Sequence, residues 1–153
     1  MNWESPPIIK VYEALGAISD ERVHIDGNGA KVYSSSGNKY YDVLYDPESQ
    51  SIMANDNGSY WQDYLGYPSI AFLLKGGVIA YRQELADLLK DIAWKDINQM
   101  YKNDFDKTLE HILKGLDKPE RKDLQAMVEE ISLDLDKLEL KKLGKKIKPP
   151  AGY

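Results

Sequence analysis

Side chains able to do chemistry are few in this chain. The two histidines, His24 and His111, stand 87 residues apart, and there is no cysteine. A zinc site draws three or four Cys, His or carboxylate ligands to one point, so each histidine reads as a structural or solvated side chain, and neither a metal nor a cofactor is expected. The lack of thiols also removes disulfides and thiolate sites. Asn55-Asp56-Asn57-Gly58 approaches a calcium loop in composition. With Gly58 as the loop glycine, however, Met53 falls where the first acid belongs and Tyr64 where the bidentate glutamate belongs. The segment reads as a turn.

Nucleophilic catalysis requires an activated hydroxyl or amine beside a base. Ser34-Ser35-Ser36-Gly37 lacks the Gly-x-Ser-x-Gly setting of a nucleophile elbow, and it reads as a loop between strands. Gly27-x-Gly29 and Gly76-Gly77 have neither the spacing nor the strand-to-helix context of a phosphate-binding loop. Carboxylates such as Asp104, Asp106 and Glu110, or Glu129, Glu130 and Asp134, fall on predicted helix surfaces. No catalytic residue is assigned.

The strongest binding candidate is aromatic. Tyr60, Trp61, Tyr64 and Tyr67 lie within eight residues, beside Asn55, Asp56, Gln62 and Asp63. Tyr and Trp dominate interface hot spots and stack on unpaired bases, and they also fill cores. Composition leaves core and contact surface both open for this cluster. Charge supplies a second candidate: of a net −5, the lysines 141, 142, 145, 146 and 148 contribute +5, which leaves −10 on residues 1–140. Such a tail either complements a helix dipole and keeps the terminus solvated or offers a nucleic-acid contact. The acidity of the body argues against a broad duplex footprint.

The elements that must position these groups fit one domain, for which 153 residues with 42% apolar content suffice. Ser5 and Pro6 suit the start of a helix, continued by Ile8, Val11, Tyr12, Leu15 and Ile18 at helical spacing. Strands are predicted over 22–26 and 30–34 around Gly27-Asn28-Gly29, then over 39–45 and 50–54, forming an antiparallel meander. Pro68 opens a short, nearly all-apolar helix that belongs in the centre, and Gly76-Gly77 stops it. Amphipathic helices follow over 82–92 and from Trp94 to Leu116. A last helix is launched by Asp117 with Glu120 three residues on, an acidic variant of the capping box. Leu133 and Leu140 lie off its main stripe, which raises a homodimer through this helix. Residues 141–153 read as a basic, flexible tail outside a 1–140 domain. No run approaches the roughly 18 apolar residues of a membrane span, and residues 1–7 lack signal-peptide character, so a cytoplasmic protein without membrane association is expected. The Lys- and Glu-rich, cysteine-free composition is thermophile-like.

Residues 40–74 run Tyr41-Asp-Val-Leu-Tyr45, Ser51-Ile-Met-Ala54, an aromatic segment, and Gly66-Tyr-Pro-Ser-Ile-Ala-Phe-Leu-Leu74. This layout resembles the ββα core of a SWIM-type zinc finger without its metal. Aligned on Ile70 to Leu73, Met53 and Asn55 stand near the paired cysteine positions, and Gly66 and Pro68 where Cys and His would stand. The resemblance implies a metal-free core held by packing of the aromatic segment, and an interaction role. The expectation is therefore an α+β domain with an N-terminal helix, a small antiparallel meander of three or four strands and about four C-terminal helices. Its expected function is a non-catalytic protein-interaction or regulatory module with an unidentified protein partner. Nucleic-acid binding through the lysine tail and aromatic segment is the alternative, and a small hydrolase or ligand-binding enzyme is the second. A deep pocket with converging acids favours the last.

Overall fold

The computed structural model describes residues 1–151. Helix α1 (Ile9–Ser19) leads into strands β1 (Val23–Asp26), β2 (Gly29–Tyr33), β3 (Tyr40–Asp46) and β4 (Ser51–Ala54). Helices α2 (Asn57–Gln62), α3 (Tyr67–Lys75), α4 (Gln83–Ala86, prolonged by a 3-10 turn to Leu89), α5 (Trp94–Met100), α6 (Phe105–Leu113) and α7 (Lys118–Leu138) follow, and strand β5 (Lys141–Lys142) ends the order. The mixed α+β class and the element sequence agree with the expectation.

The sheet has the order β1-β2-β3-β4-β5. The first four strands form the antiparallel meander, with Val23 opposite Val32, Val32 opposite Tyr41 and Val43 opposite Ala54. Gly27, at φ +60°, supplies the left-handed residue that the tight β1–β2 connection needs. In β3 burial alternates strictly from Tyr40 to Leu44, with Tyr41 and Val43 facing inward, the period-2 signature of a half-buried strand.

Three layers follow from the apolar content of the helices. Pro68 to Leu74 of α3 are all buried, because this helix lies directly against β1 to β4 on one side and α1 on the other. Every residue of α1 except Lys10 is buried as well. Its far side is covered by α4, the 3-10 turn, α6 and α7. The predicted stripe of α1 was too narrow, since Ile9, Ala14 and Ala17 are as buried as Val11 and Leu15 while Ile8 is exposed. Among the described residues, no helix is long and apolar enough to cross a membrane.

Four expectations are corrected by the tertiary structure. Ser5 does not cap the first helix: α1 starts at Ile9, and the Ser5 hydroxyl instead donates to Asp136 at 2.5 Å on α7. The predicted helix from Trp94 to Leu116 is two helices, broken where Lys102 and Asn103 adopt positive φ. The helix predicted over 82–92 is shorter, one α turn prolonged by the 3-10 turn. Finally, the domain does not end at 140. Leu140 is buried, and Lys141 and Lys142 pair in parallel with Ser51 and Ile52 as β5. Trp3 reinforces this edge, its indole donating to the Ile52 carbonyl and its backbone N–H to that of Leu140, both at 2.9 Å. The last two positions of the predicted tail lie outside the described residues.

Candidate functional site

A cleft of about 850 Å³ opens beside α1, where the β2–β3 loop, α2 and α5 meet. Its size is that of a small-molecule site. The floor begins with Lys10 and Glu13, three residues apart on α1. On an exposed helix such a pair would be a weak surface bridge, but here the neighbouring helices enclose it. The Lys10 ammonium donates to both Glu13 oxygens, at 3.0 and 3.3 Å. Burial works against that charge, yet Glu13, with lesser help from Tyr64 and Asp56, more than offsets it and raises the Lys10 pKa. The same ammonium stands 5.0 Å over the Phe105 ring.

Asp56 supplies the second carboxylate. It caps α2, accepting from the Ser59 backbone N–H at 3.2 Å and from the Ser59 hydroxyl at 2.6 Å. Its side chain is deeply buried, and burial drives its pKa up against the Ser59 bonds and the Lys10 charge. Glycine makes the seat: a Cβ on Gly66 would stand 2.5 Å from the Asp56 Cγ and closer still to Oδ2. A Cβ on Gly58 would meet the Tyr64 ring at 2.5 Å. Tyr41 and Tyr67 meet edge to face on the same wall, with centroids 6.1 Å apart. Burial, then the Tyr41 hydroxyl, pushes the Tyr67 phenol well above its usual range. Opposite them, Trp94 of α5 is buried over Gly16, where a Cβ would stand 2.7 Å from its Nε1. Two buried polar atoms of the cleft-lining residues, Trp94 Nε1 and Asn98 Oδ1, find no hydrogen-bond partner among the described residues.

The aromatic candidates divide. Tyr64 and Tyr67 line the cleft. Trp61 also reaches its rim, but is 64% exposed and packed edge to face with Tyr60 at 4.6 Å. The segment predicted as an aromatic loop is thus a short helix with an outward Trp. Replacing Trp61 with alanine is expected to change unfolding stability by less than about 1 kcal/mol, as for a surface substitution; a urea titration showing a loss above about 3 kcal/mol, the cost of emptying a buried site, would place it in the core. Asp63, half-exposed, takes Lys142 at 2.9 Å and also Lys146, and these bonds hold its carboxyl below the usual range. Lys146 donates in addition to the Tyr60 carbonyl at 3.1 Å. Two of the five candidate nucleic-acid lysines are therefore engaged with α2, whereas Lys141, Lys145 and Lys148 are exposed.

The histidines sit against tyrosines, His24 on Tyr33 with centroids 5.5 Å apart and His111 through a 2.9 Å bond to the Tyr101 hydroxyl. No cluster of three metal-ligating side chains occurs among the described residues. Met53 is buried in β4, Asn55 accepts from the Asp42 backbone N–H at 2.7 Å, Gly66 precedes α3 and Pro68 lies in its first turn. On α7, Leu133 is 60% exposed. Sequence reasoning passed over Lys10, Glu13, Arg22, Lys39, Trp94, Lys95 and Asn98. The available signal was a Lys and a Glu inside an otherwise apolar helix.

A family model described as "Uncharacterised conserved protein UCP014422" matches residues 3–141, and the chain belongs to that family. The match takes in the cleft wall from Lys10 to Phe105. No curated protein and no solved structure matches the chain.

Proposed function

We propose that this chain is a non-catalytic binding module that holds a small polar molecule in the cleft beside α1. The observation that carries this reading is a cleft of about 850 Å³ whose walls bury fixed polar groups, including Asn98 Oδ1, which has no hydrogen-bond partner among the described residues. Unmet buried polar atoms are costly, and a ligand able to donate to that oxygen would recover the cost. The engagement of the acids supports binding over reaction. Glu13 is committed to Lys10, and Asp56 to the start of α2. Ser34 and Ser36 share a 3.2 Å hydroxyl contact. These features favour ligand binding over the hydrolase reading.

Asn98→Trp tests this directly, since it fills the cleft from α5. The wild-type chain, screened against neutral and charged metabolite mixtures by thermal shift, is expected to be stabilised by some component. A ligand at about 100 times its Kd adds about 2.7 kcal/mol, and the variant should lose that gain. A screen in which no component raises the melting temperature, or in which Asn98→Trp responds equally, would remove the cleft from consideration.

A protein-contact reading keeps one specific support, the exposed Trp61 packed edge to face with Tyr60 at the cleft rim. Under it, Trp61→Ala abolishes partner capture while leaving small-molecule binding at Asn98 intact.

A further inference from the structure

Part of the cleft wall comes from the segment that follows β5. The base of this segment is fixed. The Lys142 backbone N–H donates to the Met1 carbonyl at 2.8 Å and that of Leu143 to the Ile52 carbonyl at 3.1 Å, and the Leu143 side chain packs on the core. Gly144, at φ +74°, turns the chain out of the strand, and residues 144–148 are exposed. Exposure falls again at Pro149 and Pro150, which are half-buried, and Pro150 lines the cleft together with Trp61, Gln62 and Tyr64. Between base and tip the segment is held to the end of α2 by charge. Lys142, its ammonium 5.1 Å over the Trp3 ring, donates to Asp63 Oδ1 at 2.9 Å. Lys146 shares that oxygen and also donates to the Tyr60 carbonyl at 3.1 Å. Among the described residues, no backbone hydrogen bond is made beyond Leu143.

We infer that residues 144–150 are a strap that closes the α2 side of the cleft and opens when Lys146 releases Asp63. Its purpose, control of entry to the ligand site proposed above, rests on that reading; its closure and opening do not. Lys142 belongs to the fixed base and orients the carboxylate, while Lys146 lies on the strap and acts as the latch. The forces suit a latch that opens. Ion pairs between partly exposed groups are weak, and the Lys146 and Asp63 side chains are 32% and 47% exposed. Neither proline has an N–H to leave unsatisfied when the strap lifts. The same rings restrict the undocked segment, so docking forfeits little conformational entropy and weak contacts suffice to hold it. Lifting the strap takes Pro150 out of the wall but leaves β5 paired, because the hydrogen bonds of Lys142 and Leu143 all precede Gly144.

Two paramagnetic measurements on the isotopically labelled full chain test this without a ligand. Because the chain has no cysteine, Lys148→Cys, at an exposed position, accepts a single nitroxide label. That label should broaden the amides of residues 57–64 while the strap is closed. Access is read separately, in the unlabelled protein, from the broadening of the same amides and of Asn98 by the soluble neutral nitroxide TEMPOL. Asp63→Asn removes the charge and suits the left-handed backbone at φ +61°, and Lys146→Gln removes the latch from an exposed position. Each should reduce broadening by the attached label and raise TEMPOL access by about two- to fivefold, the size of an exposed ion pair. Asp63→Asn should act at least as strongly as Lys146→Gln, and Lys145→Gln, also exposed, should change neither reading. If the label leaves amides 57–64 sharp, the segment does not close the cleft and the strap is overturned. If both variants match wild type in label broadening and TEMPOL access, the segment is a fixed wall and the latch is overturned. A thermal-shift screen that finds no ligand removes the ligand reading and leaves these two measurements unaffected.

Discussion

Gly66→Ala is expected to destabilise the protein by about 2–4 kcal/mol, a large effect for one methyl group. The backbone does not explain it, since Gly66 has φ −78° and ψ 167°, an extended conformation open to any residue. Alanine there would ordinarily stabilise by about 0.4–1 kcal/mol through the unfolded chain. Space decides the sign. The new Cβ would overlap the Asp56 carboxyl, with Cγ at 2.5 Å and Oδ1 at 2.8 Å. That group cannot swing away without giving up the Ser59 hydroxyl and the Ser59 backbone amide in the first turn of α2, both of which it satisfies. Urea unfolding reads the loss. Gly115→Ala is the control, because its Cβ would meet only the Ile112 carbonyl at 3.5 Å. A Gly66→Ala midpoint within error of wild type would mean that α2 relaxes freely. If the clash is with Asp56, the losses from Gly66→Ala and Asp56→Ala should fall well short of additive.

That glycine marks where sequence reading succeeded and where it stopped. The four meander strands were legible to within about a residue because Tyr41, Val43 and Tyr45 alternate with Tyr40, Asp42 and Leu44, and because Gly27-Asn28-Gly29 is turn chemistry. Asp117 was legible as a cap, and its side chain does accept from the Glu120 N–H at 3.0 Å. Local signals fail where a distant segment decides the outcome. Nothing in Lys141-Lys142 speaks of a strand; the open edge of β4, ninety residues earlier, recruits it. Ser5 looks like a cap but is taken by Asp136.

The site was hidden for the same reason. Lys10 and Glu13 resemble the wet side of an amphipathic helix, and only the β2–β3 loop, α2, α5 and Phe105 of α6 around them convert that side into a cleft floor. Ser35 and Lys95 are 60 residues apart, yet the Ser35 hydroxyl accepts from the Lys95 backbone N–H and so fastens the β2–β3 loop to α5. Of the aromatic cluster, the sequence located the neighbourhood but not the direction of each ring. A helix as short as α2 leaves Trp61 outside while Tyr64 and Tyr67 turn in.

Asp56 permits a sharper experiment, because its two roles respond oppositely to substitution. Asp56→Ala removes the cap of α2 and strands the buried Ser59 hydroxyl, for an expected cost of about 2–4 kcal/mol. Asp56→Asn keeps both contacts, its carbonyl accepting from the Ser59 N–H and its amide donating to the Ser59 oxygen, and carries no charge. Burial raises the Asp56 pKa in the folded protein, so the folded state holds this proton to higher pH than the unfolded chain does. Its contribution to stability is therefore greatest below the unfolded value of about 3.9 and declines as pH rises through the window up to the raised folded value. Asparagine escapes that decline. Asp56→Asn should equal or exceed wild type in stability at neutral pH, and the difference should close as pH is lowered below about 4, where both side chains are neutral. Denaturant midpoints across this range supply the comparison, with the other titrating groups cancelling between the two proteins. An asparagine variant less stable than wild type at neutral pH, with the deficit shrinking in acid, would instead mean that Lys10 holds Asp56 ionised. The floor of the cleft would then be an ion network rather than one ion pair beside a neutral cap.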